Sequence, residues 1–124
     1  MILRLINWVF ILIYGAAAVG IYFESATLST VAKACAWGLV LLILQAHASI
    51  LAAAYFPRGP FALAALLLNV CLFGLLAISM AVSLVAGQFI VLVLAPLIAT
   101  YFFNAKEAKR LGRAILEERS GVAL

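Results

Sequence analysis

The chain has 124 residues, of which 69% are hydrophobic, and it carries only 8 basic and 4 acidic side chains. A soluble domain is about half apolar and about a quarter charged. The composition therefore excludes a soluble globular domain, a disordered chain and a nucleic-acid-binding domain. The net charge of +4 comes from few residues, so their positions along the chain decide what it means.

Four apolar stretches separated by short breaks are each predicted to form a helix. The first covers about 5–23, and Ser29 or Thr30 after it suits the N-cap of the next helix. The second covers about 31–56 and stops at the turn signal 57–60. The third covers about 61–86. Runs this long, without a period of two, favour membrane-spanning helices over strands.

The fourth stretch, 87–103, is the weakest of the four. It needs Gly87 and Gln88 to reach a spanning length, and Pro96 in its middle predicts a helix break that frees the carbonyl of Leu92. With this stretch included, the sequence predicts an all-α membrane protein. We expect four antiparallel transmembrane helices joined by short loops and packed as an up-down bundle.

The charged end of the chain is predicted to extend the fourth span. Residues 104–119 suit a basic cytoplasmic helix, and 120–124 suit a frayed tail. Ala108, Leu111 and Ile115 form a thin apolar stripe on this helix. Two interpretations of its basic side chains stay open: contact with anionic lipid or a partner, or a topology signal alone. These side chains are Lys106, Lys109, Arg110 and Arg113.

The basic residues also predict the orientation. Four spans place both termini and the middle loop on one side, which then holds seven of the eight basic residues, while only Lys33 lies on the other. Basic residues favour the cytoplasmic side. We therefore expect a multi-pass protein of the cell inner (plasma) membrane with cytoplasmic N- and C-termini.

The middle of every predicted span is free of Asp, Glu, Lys and Arg. This disfavours a transporter coupled to ions through a membrane carboxylate and an intramembrane acid–base enzyme. The sequence also contains no P-loop, GxSxG, HExxH or dinucleotide-binding motif. It therefore predicts no enzyme activity, catalytic residue, metal site or cofactor.

Polar side chains at depth are the candidates for a site. Tyr14, His47 and Asn69 each lie about nine residues from a predicted cytoplasmic helix end, so we expect them in one buried layer. His47 is the single histidine. It could ligate haem, bond a quinone or relay protons, or it could be a neutral imidazole bonded to Asn69, Tyr14 or a freed carbonyl.

Small residues at helical spacing predict faces where helices pack closely, within the chain or between chains. On the second span this face includes Gln45, which we expect to form a hydrogen bond between helices. The predicted packing residues are Ala16, Gly20, Gly38, Gln45, Ala48, Ala52, Ala77, Ala81, Ala95 and Ala99.

Three functions remain open from the sequence. The first is an accessory, assembly or scaffold subunit of a larger membrane complex, acting through helix–helix packing. The alternative is a homo-oligomeric small transporter or channel for a neutral or lipophilic solute. The second alternative is a haem- or quinone-binding membrane anchor. The expected partners are the lipid bilayer and other membrane protein subunits or copies of the chain, and no nucleic acid.

Overall fold

The computed structural model of the protein describes residues 1–24, 29–89 and 91–121. Its elements are four helices: α1 (Ile2–Glu24), α2 (Thr30–Tyr55), α3 (Gly59–Val85) and α4 (Val91–Ser120). The described residues include no strand. The expectation of an all-helical protein is confirmed.

Local chemistry explains where these helices begin and end. Ser29 is the N-cap of α2, and its hydroxyl accepts a hydrogen bond from the Ala32 amide at 3.2 Å. Pro60 lies in the first turn of α3, where its missing N–H would have no intrahelical partner. Gly87 follows α3 with a φ of 67°, a left-handed conformation that suits glycine at a helix end.

Within the described residues, α1, α2 and α3 are the helices long and apolar enough to cross a membrane. Large apolar side chains cover the outside of the helices, among them Leu12 and Ile78. Water would make such a surface costly, whereas a lipid environment accommodates it. The expectation of a membrane protein with a helical bundle is thereby confirmed.

Helix α2 contacts each of the other three helices, and α3 and α4 share the most extensive contact. Two groups of buried side chains fill the interior. The first is formed by Ile50, Ala53, Ala62, Ala65, Ala108 and Ile115, and the second by Ile43, Ala46, Leu72 and Tyr101.

Helix α4 is continuous from Val91 to Ser120, so the predicted span and the predicted basic helix form one element. Pro96 lies inside this helix and does not end it, while the Leu92 carbonyl lacks the hydrogen bond that an N–H at position 96 would donate. This proline is only the sixth residue of α4, so its ring opposes a carbonyl of the first turn. The helix continues through it, and the hydroxyl of Thr100 donates to the Pro96 carbonyl at 2.9 Å.

The apolar stripe of the predicted basic helix is used inside the chain. Ala108 and Ile115 are buried against residues of α2 and α3, with Leu111 packed beside them. A Cβ atom on Gly112 would lie 3.8 Å from the Ala62 Cβ, which shows how closely α4 approaches α3. The stripe therefore faces α2 and α3, because the second half of α4 runs beside the first half of α3.

Candidate functional site

Polar side chains from all four helices meet inside the bundle. Asn7 comes from α1, His47 from α2, Asn69 from α3, and Tyr101 and Asn104 from α4. Each of the five is at most 1% exposed. We refer to these five residues as the polar cluster. Buried polar groups need partners in any apolar interior, and the cluster supplies them from within.

Asn7 and Asn104 form a reciprocal amide pair. The Nδ2 of Asn7 donates to the Oδ1 of Asn104, and the Nδ2 of Asn104 donates to the Oδ1 of Asn7, both at 2.9 Å. The Asn7 amide also donates to the carbonyl of Leu3 at 2.8 Å. The pair thus connects α1, the first helix of the chain, to α4, the last.

His47 bonds through both ring nitrogens. Its Nδ1 lies 2.6 Å from the Oδ1 of Asn7, and its Nε2 lies 3.1 Å from the hydroxyl of Tyr101. Because the Asn7 oxygen can only accept, we assign the proton to Nδ1. In the neutral imidazole Nε2 is then an acceptor, and the Tyr101 hydroxyl donates to it.

Asn69 connects α3 to two other helices. Its Nδ2 donates to the Ala65 carbonyl at 2.8 Å on its own helix and to the Ala46 carbonyl at 3.3 Å on α2. Its Oδ1 accepts from the Nδ2 of Asn104 at 3.1 Å. In the part of the chain that the structure describes, no buried side-chain nitrogen or oxygen lacks a hydrogen-bond partner. The polar cluster is therefore closed.

Aromatic rings cover the imidazole of His47. The ring of Phe10 stacks on it with centroids 4.9 Å apart, and the ring of Tyr14 lies 6.3 Å away. Tyr101 packs at a tilt, with centroids 5.3 Å apart. Aromatic rings of α1 and α4 thus surround the imidazole of the single histidine.

A cavity of about 140 Å³ lies between the N-terminal end of α1 and the polar cluster, and Asn7, Arg4, Glu107 and Arg110 contribute to its lining. The Nε of Arg110 donates to Glu107 at 2.9 Å. This hydrogen bond holds the pKa of the Glu107 carboxyl below its usual range. The guanidinium of Arg4 lies 5.2 Å from the centre of the Tyr55 ring.

The structure joins His47 and Asn69 in one network through Asn7 and Asn104 rather than directly. Tyr14 is half-buried and packs beside the second group of buried side chains. Pro96 is exposed and away from the cluster's hydrogen bonds.

Sequence reasoning missed three members of the polar cluster. Asn7 lies close to the predicted start of the first span, whereas α1 begins at Ile2. Tyr101 lies near the predicted end of the fourth span and Asn104 begins the predicted basic helix, so neither position indicates depth. Tyr101, Asn104 and Ala108 follow helical spacing on one face, and that pattern was the available signal for an inward surface on α4.

The packing residues predicted from small side chains lie mainly on the outside. Gly38, Gln45 and Ala48 are exposed on α2. The inward face of α2 is set by His47 and its apolar neighbours, which leaves the small face opposite. The other exposed positions are Ala16, Gly20, Ala81, Ala95 and Ala99, while Ala52 and Ala77 are partly buried.

Gln45 lies on this outer face of α2. Its side chain is exposed, and none of the described residues is a partner for its amide. The expectation that Gln45 forms a hydrogen bond between helices therefore stays a prediction. No atom lies within 4 Å of a Cβ built on Gly38, so this face of α2 is open.

The basic residues of α4 divide into two environments. Arg110 pairs with Glu107, whereas Lys106, Lys109 and Arg113 are exposed.

Comparison of the chain with protein-family models, curated proteins and solved structures finds no match. The function must therefore be argued from the arrangement of these residues.

Proposed function

We propose that this chain is an accessory, assembly or scaffold subunit of a membrane complex, and that it packs against a second membrane helix through the outer face of α2. The observation that carries the proposal is Gln45, an exposed amide without a hydrogen-bond partner among the described residues.

The depth of Gln45 gives this observation its weight. At about 1.5 Å per residue it lies roughly 22 Å from Thr30 and roughly 15 Å from Tyr55, the two ends of α2. In a spanning helix that is within the hydrocarbon core, where an unpaired amide is costly because no water can bond it. A polar group on another helix would remove that cost.

The neighbours of Gln45 favour such a contact. Gly38 and Ala48 share its face of α2 and are exposed. Small residues allow the backbones of two helices to approach closely, so dispersion contacts and interhelical hydrogen bonds can form. The face combines shape and polarity in the way that helix association in membranes requires.

The polar cluster supports a scaffold more than the alternatives. All its donors and acceptors are engaged, so it holds four helices in one arrangement. Ligation of haem would require His47 to give up its bond to Asn7 or Tyr101. A transport path through this layer would require the whole network to open, and no observation favours that.

The proposal includes an orientation for the helices. Ala62 approaches Gly112, and Asn69 bonds Asn104. Residues with higher numbers on α3 thus contact residues with lower numbers on α4, which supports antiparallel helices. Together with the seven-to-one distribution of basic residues, this supports an inner-membrane protein with cytoplasmic termini and the charged half of α4 on that side.

Site-specific photo-crosslinking in native membranes tests the proposed interface. A benzophenone side chain at Leu41, on the face of Gln45, should give an adduct, and the same group at Leu75, exposed on α3, is the matched control. An adduct near twice the 13.2 kDa of the chain identifies a second copy, and a different mass identifies another subunit.

Gln45→Leu should lower the Leu41 adduct several-fold, because it removes an interhelical hydrogen bond of about 1–2 kcal/mol. Adducts of equal yield at Leu41 and Leu75 would show nonspecific encounters and contradict the proposal. So would a chain that gives no adduct at Leu41 and elutes alone from native lipid particles.

A further inference from the structure

A groove of about 660 Å³ lies on the outside of the bundle between α3 and α4. Its floor is apolar and includes Leu67, Val70 and Phe73 of α3 and Phe102 of α4, while Lys106 and Lys109 form one edge. We refer to it as the basic-edged groove. Its volume lies within the range of roughly 300–1,000 Å³ that is usual for small-molecule sites.

The two lysines have no acidic partner among the described residues, and the nearby Glu107 pairs with Arg110. Leu67, Val70 and Phe102 leave about half of their surface exposed, at 56%, 50% and 51%. Two free ammonium groups therefore lie directly beside an uncovered apolar surface.

The position of the groove along α3 and α4 explains why the two lysines lie beside an apolar surface. Asn104 bonds Asn69 and the two helices run in opposite directions, so Lys106, two residues further along α4, lies near the level of Leu67 of α3. At that level α3 is still apolar. The uncharged part of α4 that precedes the lysines, 91–105, is only about 22 Å long, shorter than a hydrocarbon core of about 30 Å.

With the orientation proposed above, on which this inference rests, the mismatch puts the groove at a membrane boundary. A lysine that begins inside the apolar region extends its chain until the ammonium reaches the headgroups. The groove then runs from the headgroup level, at the lysines, into the acyl region, at Phe73 and Phe102. An occupant must match both a positive edge and an apolar floor.

We propose that the basic-edged groove binds one anionic glycerophospholipid, with its phosphate on Lys106 and Lys109 and an acyl chain along the apolar floor. A zwitterionic lipid matches the floor but has no net negative charge for the lysines. Inorganic phosphate matches the lysines but leaves the floor uncovered. The site lies on α3 and α4, so it does not depend on the interface proposed for α2.

Native mass spectrometry of the full-length chain in detergent tests this proposal. The probes are dioleoyl phosphatidylglycerol and dioleoyl phosphatidylcholine, which share acyl chains and differ in net charge. We expect the first to be retained at least tenfold better. Lys106→Gln combined with Lys109→Gln should lower its retention about ten- to thirty-fold, as expected for two basic contacts.

A matched double variant, Lys33→Gln with Arg119→Gln, removes the same charge outside the groove and should leave retention unchanged. The apolar floor is tested by Val70→Trp, which fills the groove with both lysines intact and should lower retention of phosphatidylglycerol. Leu75→Trp, exposed on α3 outside the groove, is its control. Leu67→Trp replaces Val70→Trp if thermal unfolding shows that the latter is misfolded.

Equal retention of the two lipids would overturn the proposal, as would equal effects of the two charge variants. Displacement of phosphatidylglycerol by millimolar inorganic phosphate, or full retention by the folded floor variant, would show that charge alone holds the headgroup. Either result would contradict a site that contains the acyl chain.

Discussion

The amide pair of Asn7 and Asn104 is the centre of the polar cluster, because each amide bonds the other and also another member of the cluster. Asn104 also donates to Asn69, and Asn7 also accepts from His47. Removal of either amide therefore takes hydrogen bonds from more than one buried group and leaves at least one of them unpaired. An unpaired buried group is costly, whereas removal of both partners of a bond costs less.

We expect Asn104→Leu to lower the free energy of unfolding by about 1–3 kcal/mol, because it leaves the Asn69 oxygen without a partner and removes two hydrogen bonds from the Asn7 amide. Asn7→Leu should cost a similar amount. The double variant should be at least about 1 kcal/mol more stable than the sum of the single effects predicts. Reversible unfolding in mixed micelles measures all three proteins.

Ser79→Ala is the control for this cycle, since the Ser79 hydroxyl bonds only the Leu75 carbonyl of its own helix and is exposed. It should change stability by less than about 0.5 kcal/mol. Strictly additive effects of the two asparagine substitutions would contradict the reciprocal pair.

His47 provides a spectroscopic test of the same network. Its Nδ1 faces an oxygen that can only accept, so the neutral ring should carry its proton on Nδ1. Long-range ¹H–¹⁵N correlation of the ring at neutral pH should show this tautomer in a single population. A ring protonated on Nε2, or an equal mixture of tautomers, would contradict the arrangement.

Tyr101→Phe should disturb the His47 signals, because it removes the hydroxyl that donates to Nε2. It should also cost about 1 kcal/mol of stability. Tyr55→Phe is the control, since its hydroxyl accepts from Trp8 on the exposed surface and contributes little.

At the scale of the elements, α4 combines an apolar half with a charged half that is nevertheless packed against the bundle. Ile115 is 7% exposed and Leu116 beside it is 67% exposed. We expect Ile115→Ala to destabilise the protein by about 2–4 kcal/mol through the cavity that it leaves. Leu116→Ala should change stability by less than about 0.5 kcal/mol.

Thermal unfolding of these two variants distinguishes a packed helix from a solvated tail. Equal, small effects at both positions would mean that the second half of α4 is separate from the bundle. A large effect confined to Ile115 is the result that the structure requires.

Two glycines should respond to alanine in opposite directions. Gly112 is helical, and an added Cβ would meet Ala62 at an ordinary distance of 3.8 Å, so Gly112→Ala should stabilise the protein by up to about 1 kcal/mol. Gly87 has a φ of 67°, so Gly87→Ala should destabilise it by about 1 kcal/mol. In thermal unfolding, the midpoint temperature of Gly112→Ala should rise and that of Gly87→Ala should fall. Movement of both in one direction would contradict either the close approach or the turn.

The helices themselves could be predicted, since long apolar runs, the Pro57–Pro60 turn and Gly87 mark their positions. Their inward faces could not, because helices that are apolar on all sides present no hydrophobic stripe that distinguishes inside from outside. Polar residues decide the question instead. On α2, Gln45 and His47 point in different directions, and only the partners supplied by α1 and α4 favour His47.

The register of α4 against α3 could not be predicted either. Asn104 lies beside Asn69 only because α4 continues past the apolar segment and runs along α3. Local sequence contains no information on that pairing, which depends on Ala62 and Gly112 meeting across the interface. The polar layer could therefore be predicted for His47 and Asn69, but not the residues that connect them.

For the whole molecule, the closed polar cluster and the open face of Gln45 act together. A bundle held by bonds among four helices presents its outer surface in one fixed arrangement. A partner that binds this surface then loses little conformational freedom on the side of this chain. This is the physical reason why a cluster without an exposed group can still matter for assembly.

The orientation of the molecule is testable by the accessibility of two positions, one in the first turn of α2 and one between α2 and α3. Native Cys35 and Cys71 are first replaced by alanine, and a cysteine is then placed at Lys33 or at Arg58. A membrane-impermeant maleimide should label Lys33→Cys in intact spheroplasts and Arg58→Cys only after permeabilisation, because basic residues are retained on the cytoplasmic side. The charge distribution, seven against one, is strong enough that one orientation should dominate. Labelling of both positions in intact spheroplasts would show that the protein inserts in both directions, and the reverse pattern would show that the basic half of α4 faces outward.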